Sequence, residues 1–206
     1  MKMAKNVDGS TKNNFPSMKM AKNVDGSTKN SFPSMKTAEN VDSSIAIMDF
    51  LEVIENRHSV RKYADRPVEK EVLDAIVKVA QTAPSSRNSK SSAFMIIEDR
   101  DTLDALSQMR DYGSALLSGA QAAIIVLGDD TKTDLWVDNC AISATFVQLA
   151  VTAMDLVSCW VHINGRPVLK AEPEGAKAED YVRNLLGIKD GLRPYCAIAI
   201  GYPVEE

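Results

Sequence analysis

Apolar residues recur along the chain with two alternating periods. Ile47, Phe50, Leu51 and Ile54 fall at i, i+3, i+4 and i+7, which predicts a helix with one apolar stripe ending at Asn56. Asp65-Arg66-Pro67 opens a second helix over Val68 to Gln81, with Val72, Ile76 and Val79 on one side and Glu69, Lys70 and Lys78 outside. Pro84 stops it, and a polar loop leads into Ala93 to Ile97, apolar throughout and read as a buried strand. Asp101 is expected to cap a helix running to about Met109, followed by a strand at Ala122 to Leu127. The longest predicted helix runs from Asp134 to about Leu156, where Ala141, Ala144, Ala150 and Ala153 would let another backbone approach closely. Ser158 to Ile163 reads as a strand, Glu179 to Leu186 as a short helix stopped by Gly187, and Tyr195 to Ile200 as a final strand closed by Gly201. Helices alternating with wholly apolar strands predict a sheet covered on both faces, hence an α/β chain, or α+β if the strand order is mixed.

The first residues break this pattern. Residues 1 to 17 recur as 18 to 34 with one change, Asn14 to Ser31, and a degenerate third copy starts at Met35. The unit is rich in Lys, Asn and Ser, with too few apolar residues to bury a face against its neighbour as solenoid repeats do. Residues 1–44 are therefore expected to be a low-complexity, disordered extension, with one folded domain over 45–206.

Charge follows the same division. Six lysines against Asp8 and Asp25 give residues 1 to 34 a balance of +4, so the remainder carries -8 within a total of -4. So acidic a body is a poor nucleic-acid binder. No apolar run has the length of a bilayer span, and the N-terminus lacks the apolar centre of a secretory signal, so a cytoplasmic location is expected. Cys140, Cys159 and Cys196 sit in apolar stretches without a CxxC pair and are expected as buried, reduced thiols.

Candidate chemistry concentrates in two polar segments. Arg57-His58-Ser59-Val60-Arg61 sets two guanidiniums around a hydroxyl, an array that can converge on a phosphate or an electron-rich ring edge, yet the arginines could equally cap the preceding helix. Pro84-Ser85-Ser86-Arg87-Asn88-Ser89 offers hydroxyls and an amide suited to a ribityl chain, and is also what an ordinary helix-to-strand turn contains. His162 alternates with apolar neighbours in Trp160-Val161-His162-Ile163 and has no nucleophile elbow beside it, which favours a structural or ligand-facing role over a general base. The two histidines show no metal-ligand spacing, and no GxGxxG or Walker A loop is present, so neither a metal site, a Rossmann fold nor a P-loop is expected.

RHSVRKY, then a helix, APSSRNSK before a strand, a long helix leading into DLVSCWVHI, and AIAIGYP near the end occur in an order that closely resembles the FMN-dependent nitroreductase family over residues 47 to 203. That resemblance implies an α+β chain, three-layered α/β/α with a mainly antiparallel central sheet, forming a homodimer with FMN at the subunit interface. It implies that Arg57, His58, Ser59 and Arg61 hold the phosphate, ribityl chain and N1/O2 edge. Pro84, Ser85, Ser86 and Asn88 would reach the partner's FMN. Trp160, Val161, His162 and Ile163 would lie along the flavin and offer a backbone N–H towards N5. The implied reaction is ping-pong, with NADH or NADPH as donor and nitroaromatics, quinones or similar acceptors; the flavin does the chemistry and no side chain is needed as acid or base. The alternative is a non-catalytic or specialised FMN-binding protein of the same fold. Three features depart from the family pattern. Lys90-Ser91-Ser92 stands where Gln-Pro-Trp is common, no Lys or Arg follows Tyr202-Pro203, and the stretch from Gly165 to Leu185 is short. The second makes Arg57 the main expected partner of the phosphate.

Overall fold

The computed structural model describes residues 50–204; the tandem repeats and Ile47 lie outside these residues. In chain order the elements are α1 (Phe50–Asn56), α2 (Lys70–Ala80), a 3-10 turn (Ser86–Asn88), β1 (Ser92–Ile97), α3 (Arg100–Ser107), a second 3-10 turn (Ala115–Gly119), β2 (Ala122–Asp129), α4 (Trp136–Ala153), β3 (Val157–His162), α5 (Ala178–Leu186) and β4 (Leu192–Gly201). The strands form one sheet in the order β1-β2-β4-β3, with every neighbouring pair antiparallel. Strands of alternating facing separate two cores. Ile124, Val126, Ile198 and Ile200 meet α2 and α4 on one face, and Ala123, Ile125, Ala197 and Ala199 meet α3 and α5 on the other. The chain is therefore α+β in three α/β/α layers, as the apolar strands implied.

Several boundaries move for identifiable reasons. Glu69 is extended, and its carbonyl accepts the first helical bonds from Val72 and Leu73, so α2 starts at Lys70 while Val68 is buried as part of the approach. The buried face of α2 is Leu73, Ile76 and Ala80, so Ile76 of the predicted stripe is buried, whereas Val72 and Val79 give way to their neighbours and Val79 is exposed. Asp99 rather than Asp101 caps α3, its carboxylate accepting from the Thr102 N–H at 2.8 Å and hydroxyl at 2.7 Å. At the end of α4, Asp155 adopts φ 56 and Leu156 N–H returns to the Val151 carbonyl at 3.1 Å, a Schellman closure that ends the helix at Ala153. Thr133 Oγ1 accepts the Leu135 N–H at 3.2 Å, and α4 begins only at Trp136.

β4 starts earlier than expected, at Leu192, because the register slips between Val126 and Leu127 and leaves Tyr195 unopposed; Pro194 is tolerated at this bulge. β3 spans Val157 to His162, one residue earlier than predicted at each end. The apolar stripe of α1 does not face the core: Val53 is buried, whereas Phe50, Leu51 and Ile54 are 67%, 68% and 47% exposed. Two glycines mark close approaches. A Cβ on Gly128 would lie 2.2 Å from Trp136 of α4, and one on Gly201 would lie 2.8 Å from the Tyr63 side chain. Ala144 and Ala150 of α4 are buried, and Ala141 and Ala153 are half-buried. All three cysteines are free and buried, and burial pushes the Cys140 thiol up to about 12. No helix among the described residues is long and apolar enough to cross a membrane.

Candidate functional site

The arginine segment is an extended strap laid on the outer edge of β3. Ser59 bridges Ser158 in parallel, and Val60 N–H donates to the Ser158 carbonyl at 3.0 Å. Tyr63 fixes the strap from beneath. Its hydroxyl donates to the Val60 carbonyl at 2.9 Å, its ring occupies the space left by Gly201, and Ala64 N–H donates to the Tyr202 carbonyl at 3.0 Å. Tyr202 in turn donates to Glu69 Oε2 at 2.5 Å and lies 3.8 Å under the Arg66 guanidinium. The Gly201-Tyr202-Pro203 motif thus anchors the strap.

Among the described residues, neither Arg57 nor Arg61 directs its guanidinium to a carboxylate or carbonyl, so the helix-capping reading finds no hydrogen bond to support it. His58 and Ser59 are exposed beside them, with His58 Nδ1 2.7 Å from the Asn56 carbonyl. Arg61 and Ser59 both act on the buried Cys159 thiol; burial raises its pKa and they oppose the rise, which places them over the start of β3.

Along the same edge, alternation in an antiparallel ladder sends the N–H and C=O of one residue to the same side. The Ser158 carbonyl faces outward to Val60, so Trp160 and His162 also present their backbone groups outward. Ile163 N–H instead donates to the Tyr195 carbonyl at 3.0 Å, and Val161 and Ile163 are buried in the second core. Trp160 and His162 stack with centroids 6.4 Å apart, and Tyr195 meets both rings edge-on at 5.8 and 5.2 Å. Trp160 Nε1 donates to His162 Nδ1 at 3.4 Å, which requires that nitrogen to be unprotonated. Burial, then Arg166 and Arg110, lower the His162 pKa in agreement with that bond. The Arg110 Nη1 donates to the His162 carbonyl at 2.7 Å.

The serine loop lies elsewhere. Asn139, 2% exposed on α4, accepts the Ser86 N–H at 2.9 Å through Oδ1, and its Nδ2 donates to the Ser86, Ser89 and Ser91 hydroxyls at 3.1, 3.2 and 2.9 Å. Ser85 Oγ accepts the Lys90 N–H at 2.9 Å. Held this way, the loop takes three left-handed non-glycine residues, Arg87, Asn88 and Lys90. Pro84 and Asn88 are exposed at its tip. A cleft of about 220 Å³ beside it is lined by Ser85, Lys90, Ser92, Phe94 and Ser143, among others.

β1 and β3 are opposite edges of the sheet, three strand spacings or roughly 14 Å apart. The registers also set Ser158 level with Ala122 and Ser92 level with Gly128, which adds roughly 20 Å along the strands. One chain therefore brings Arg57, His58, Ser59, Arg61, Trp160 and His162 together along one edge, and keeps Pro84, Ser85, Ser86 and Asn88 away from them.

Three residues that position these groups escape a reading of local pattern. Asn139 and Arg110 look like an ordinary helical amide and a post-helix cation. Glu179 resembles a first-turn acid, but it accepts Arg193 bidentately and binds Asn164 Nδ2 at 3.0 Å and Gly165 N–H at 3.2 Å, fixing the exit from β3. Their partners lie from 14 to 53 residues away, beyond any local signal.

The family model "Nitroreductase family" matches residues 54–123 and 108–202. A Methanothermobacter thermautotrophicus protein with the provisional name NADH dehydrogenase/NAD(P)H nitroreductase is 32% identical over 165 residues, 79% of this chain and 81% of its own length. A relative of the same name in Archaeoglobus fulgidus is 31% identical over 160 residues, 76% of this chain and 86% of its own. Among solved structures, an FMN-dependent nitroreductase from Clostridium difficile R20291 superposes with a TM-score of 0.71 at 35% identity, covering 76% of this chain and 88% of that one. The chain belongs to the nitroreductase family and is an oxidoreductase of the nitroreductase fold.

Proposed function

We propose that the protein is a homodimeric, FMN-dependent NAD(P)H oxidoreductase that reduces nitroaromatics, quinones or similar acceptors. The observation that carries the reading is the strap on β3, where two guanidiniums without a carboxylate or carbonyl partner among the described residues, two exposed polar side chains and an outward backbone edge are lined up. Four residue steps lead from Ser158 to His162, roughly 13 Å of edge, which suits an elongated ligand with an anionic end. Arg57 and Arg61 fit a phosphate and an electron-rich ring edge, since guanidinium forks pair well with such groups.

FMN, when bound, would supply the two-electron chemistry that links NAD(P)H to the acceptor in a ping-pong sequence. The chain's own residues would bind and orient. Arg57 and Arg61 would hold the anionic end with His58 and Ser59 beside it, the Trp160 or His162 N–H would face the ring, and Trp160 would supply an apolar wall. Cationic charge at the ring's polar edge would favour the reduced, anionic cofactor. His162, kept neutral by burial and by Arg166 and Arg110, would not serve as a proton donor at neutral pH.

The dimer is proposed on two grounds. The strap and the serine loop stand at opposite edges and ends of one sheet, so only a second chain can bring Pro84, Ser85, Ser86 and Asn88 against the strap. The exposed Phe50, Leu51 and Ile54 of α1, with Leu135, Val137 and Ile142 at or on α4, leave apolar surface that a second copy would cover. Likewise, residues 1–44 are proposed to be an appendage to the domain of 45–206.

The test is reconstitution with FMN. One flavin per chain in a dimeric particle is expected, and Arg57→Ala should lose it. Full flavin retention by that variant would refute the phosphate role.

A further inference from the structure

The turn after α3 and the stretch after β3 are stitched into one surface beside His162. Asp111 N–H donates to the Val168 carbonyl at 2.9 Å, and the Asp111 carboxylate accepts the Lys170 N–H at 3.0 Å. Arg110 is pinned to the His162 carbonyl, with its guanidinium 4.0 Å over the Tyr112 ring, and Lys170 Nζ stands 6.0 Å from the same ring. Arg166 lies close enough to act on the His162 imidazole together with Arg110. Three cations thus gather at the end of β3 in a chain whose net charge is -4.

The neighbouring acids offset these three cations only in part. Glu179 is taken bidentately by Arg193, and Glu174 lies 3.9 Å from Lys177. Asp111 is the carboxylate inside the cluster, and it accepts a backbone N–H. Among the described residues, Arg166 and Lys170 have no carboxylate partner, both are exposed, and the buried Arg110 Nε has no hydrogen-bond partner. The exposed Arg166 and Lys170 are placed to meet an anion that arrives from outside.

We propose that Arg110, Arg166 and Lys170 recognise the 2′-phosphate of the hydride donor, so that the protein uses NADPH in preference to NADH. This rests on the flavin-oxidoreductase reading: a donor that meets a flavin held at the Trp160 to His162 edge could reach the patch just beyond His162 with its adenosine end. The 2′-phosphate is the group by which the two donors differ, a phosphomonoester carries between one and two negative charges at pH 7, and arginine forks bind it bidentately. Arg110 is held in place before binding, which limits the ordering cost, while Arg166 and Lys170 close from the solvent side.

Adenosine 2′,5′-bisphosphate and adenosine 5′-monophosphate, titrated calorimetrically into the full-length protein with FMN present, test this without turnover. The bisphosphate should bind the wild type about tenfold tighter or more, one tenfold step per strong phosphate contact. The double variant Arg166→Glu/Lys170→Glu should bind both nucleotides alike, and its NADPH:NADH ratio of kcat/KM should fall by about tenfold or more. Lys78→Glu, an exposed charge reversal on α2, controls for net charge and should leave that ratio unmoved. Equal affinities in the wild type, or a ratio indifferent to the double variant, overturn the patch. A colourless protein that still discriminates the nucleotides keeps the patch and rejects the flavin reading. A yellow, reducible protein that does not discriminate does the reverse.

Discussion

Replacing Asn139 with alanine removes four hydrogen bonds made by one buried side chain. Two of the groups left behind matter most, the half-buried Ser86 N–H and the Ser91 hydroxyl, on a residue 1% exposed; the Ser86 and Ser89 hydroxyls can turn towards water. Each orphaned buried group costs about 1–3 kcal/mol and each lost but rehydrated bond about 0.5–1 kcal/mol. Alanine's better helix propensity returns about 0.5 kcal/mol, leaving a net loss of about 2.5–7.5 kcal/mol. For a domain of this size that lowers Tm by about 5–30 °C. Urea unfolding followed by circular dichroism should show the midpoint falling with an unchanged slope. The loop would also relax from its left-handed residues Arg87, Asn88 and Lys90, so FMN affinity should fall by about tenfold, or about 1.4 kcal/mol. A destabilisation below about 0.5 kcal/mol, within the range of ordinary surface changes, would refute the network.

Other expectations follow from single observations. Gly128→Ala drives a Cβ to 2.2 Å from Trp136, so it should cost about 1–3 kcal/mol or more and perturb tryptophan fluorescence; wild-type stability would mean that α4 yields there freely. With Cys140, Cys159 and Cys196 all buried, Ellman's reagent should find no fast thiol in the native protein and three on unfolding, and a prompt native reaction would contradict their burial. The His162 pKa lies below 6.5 in the folded chain, so the unfolded chain binds more protons in that window. This contribution to stability is complete above pH 6.5 and is lost as pH falls through the lowered value. His162→Gln should therefore have a flatter stability profile than the wild type below pH 6.5, and parallel profiles would dismiss the assignment.

Much of the architecture was legible because strands such as Ala122 to Leu127 are apolar on both faces and announce two covering layers. The ends of elements were less legible, since they depend on single side chains and backbone states. Asp99 and Asp101 are equivalent as sequence, and only the Thr102 bonds choose between them. Asp155 closes α4 where glycine would ordinarily signal a stop. The bulge at Tyr195 has no local signature except Pro194, yet it lets one carbonyl accept both Ile163 and Asn164 and so turns the chain out of β3. On α2, Leu73 and Ala80, rather than Val72 and Val79, join Ile76 on the buried face. Both polar motifs were visible, but their separation was not: RHSVR and APSSRN are close in sequence and distant in the sheet because β1 and β3 are opposite edges. The GYP motif, one of the series that carries the family resemblance, proves to be the seat of Tyr63.

The most direct measurement is an anaerobic titration of the FMN-reconstituted full-length protein with NADPH or NADH, followed by addition of a quinone or nitroaromatic. The account predicts a yellow protein whose flavin absorbance bleaches with one equivalent of nicotinamide and returns when the acceptor is added. A protein that remains colourless with excess FMN, or a yellow one that neither nicotinamide bleaches, would contradict it.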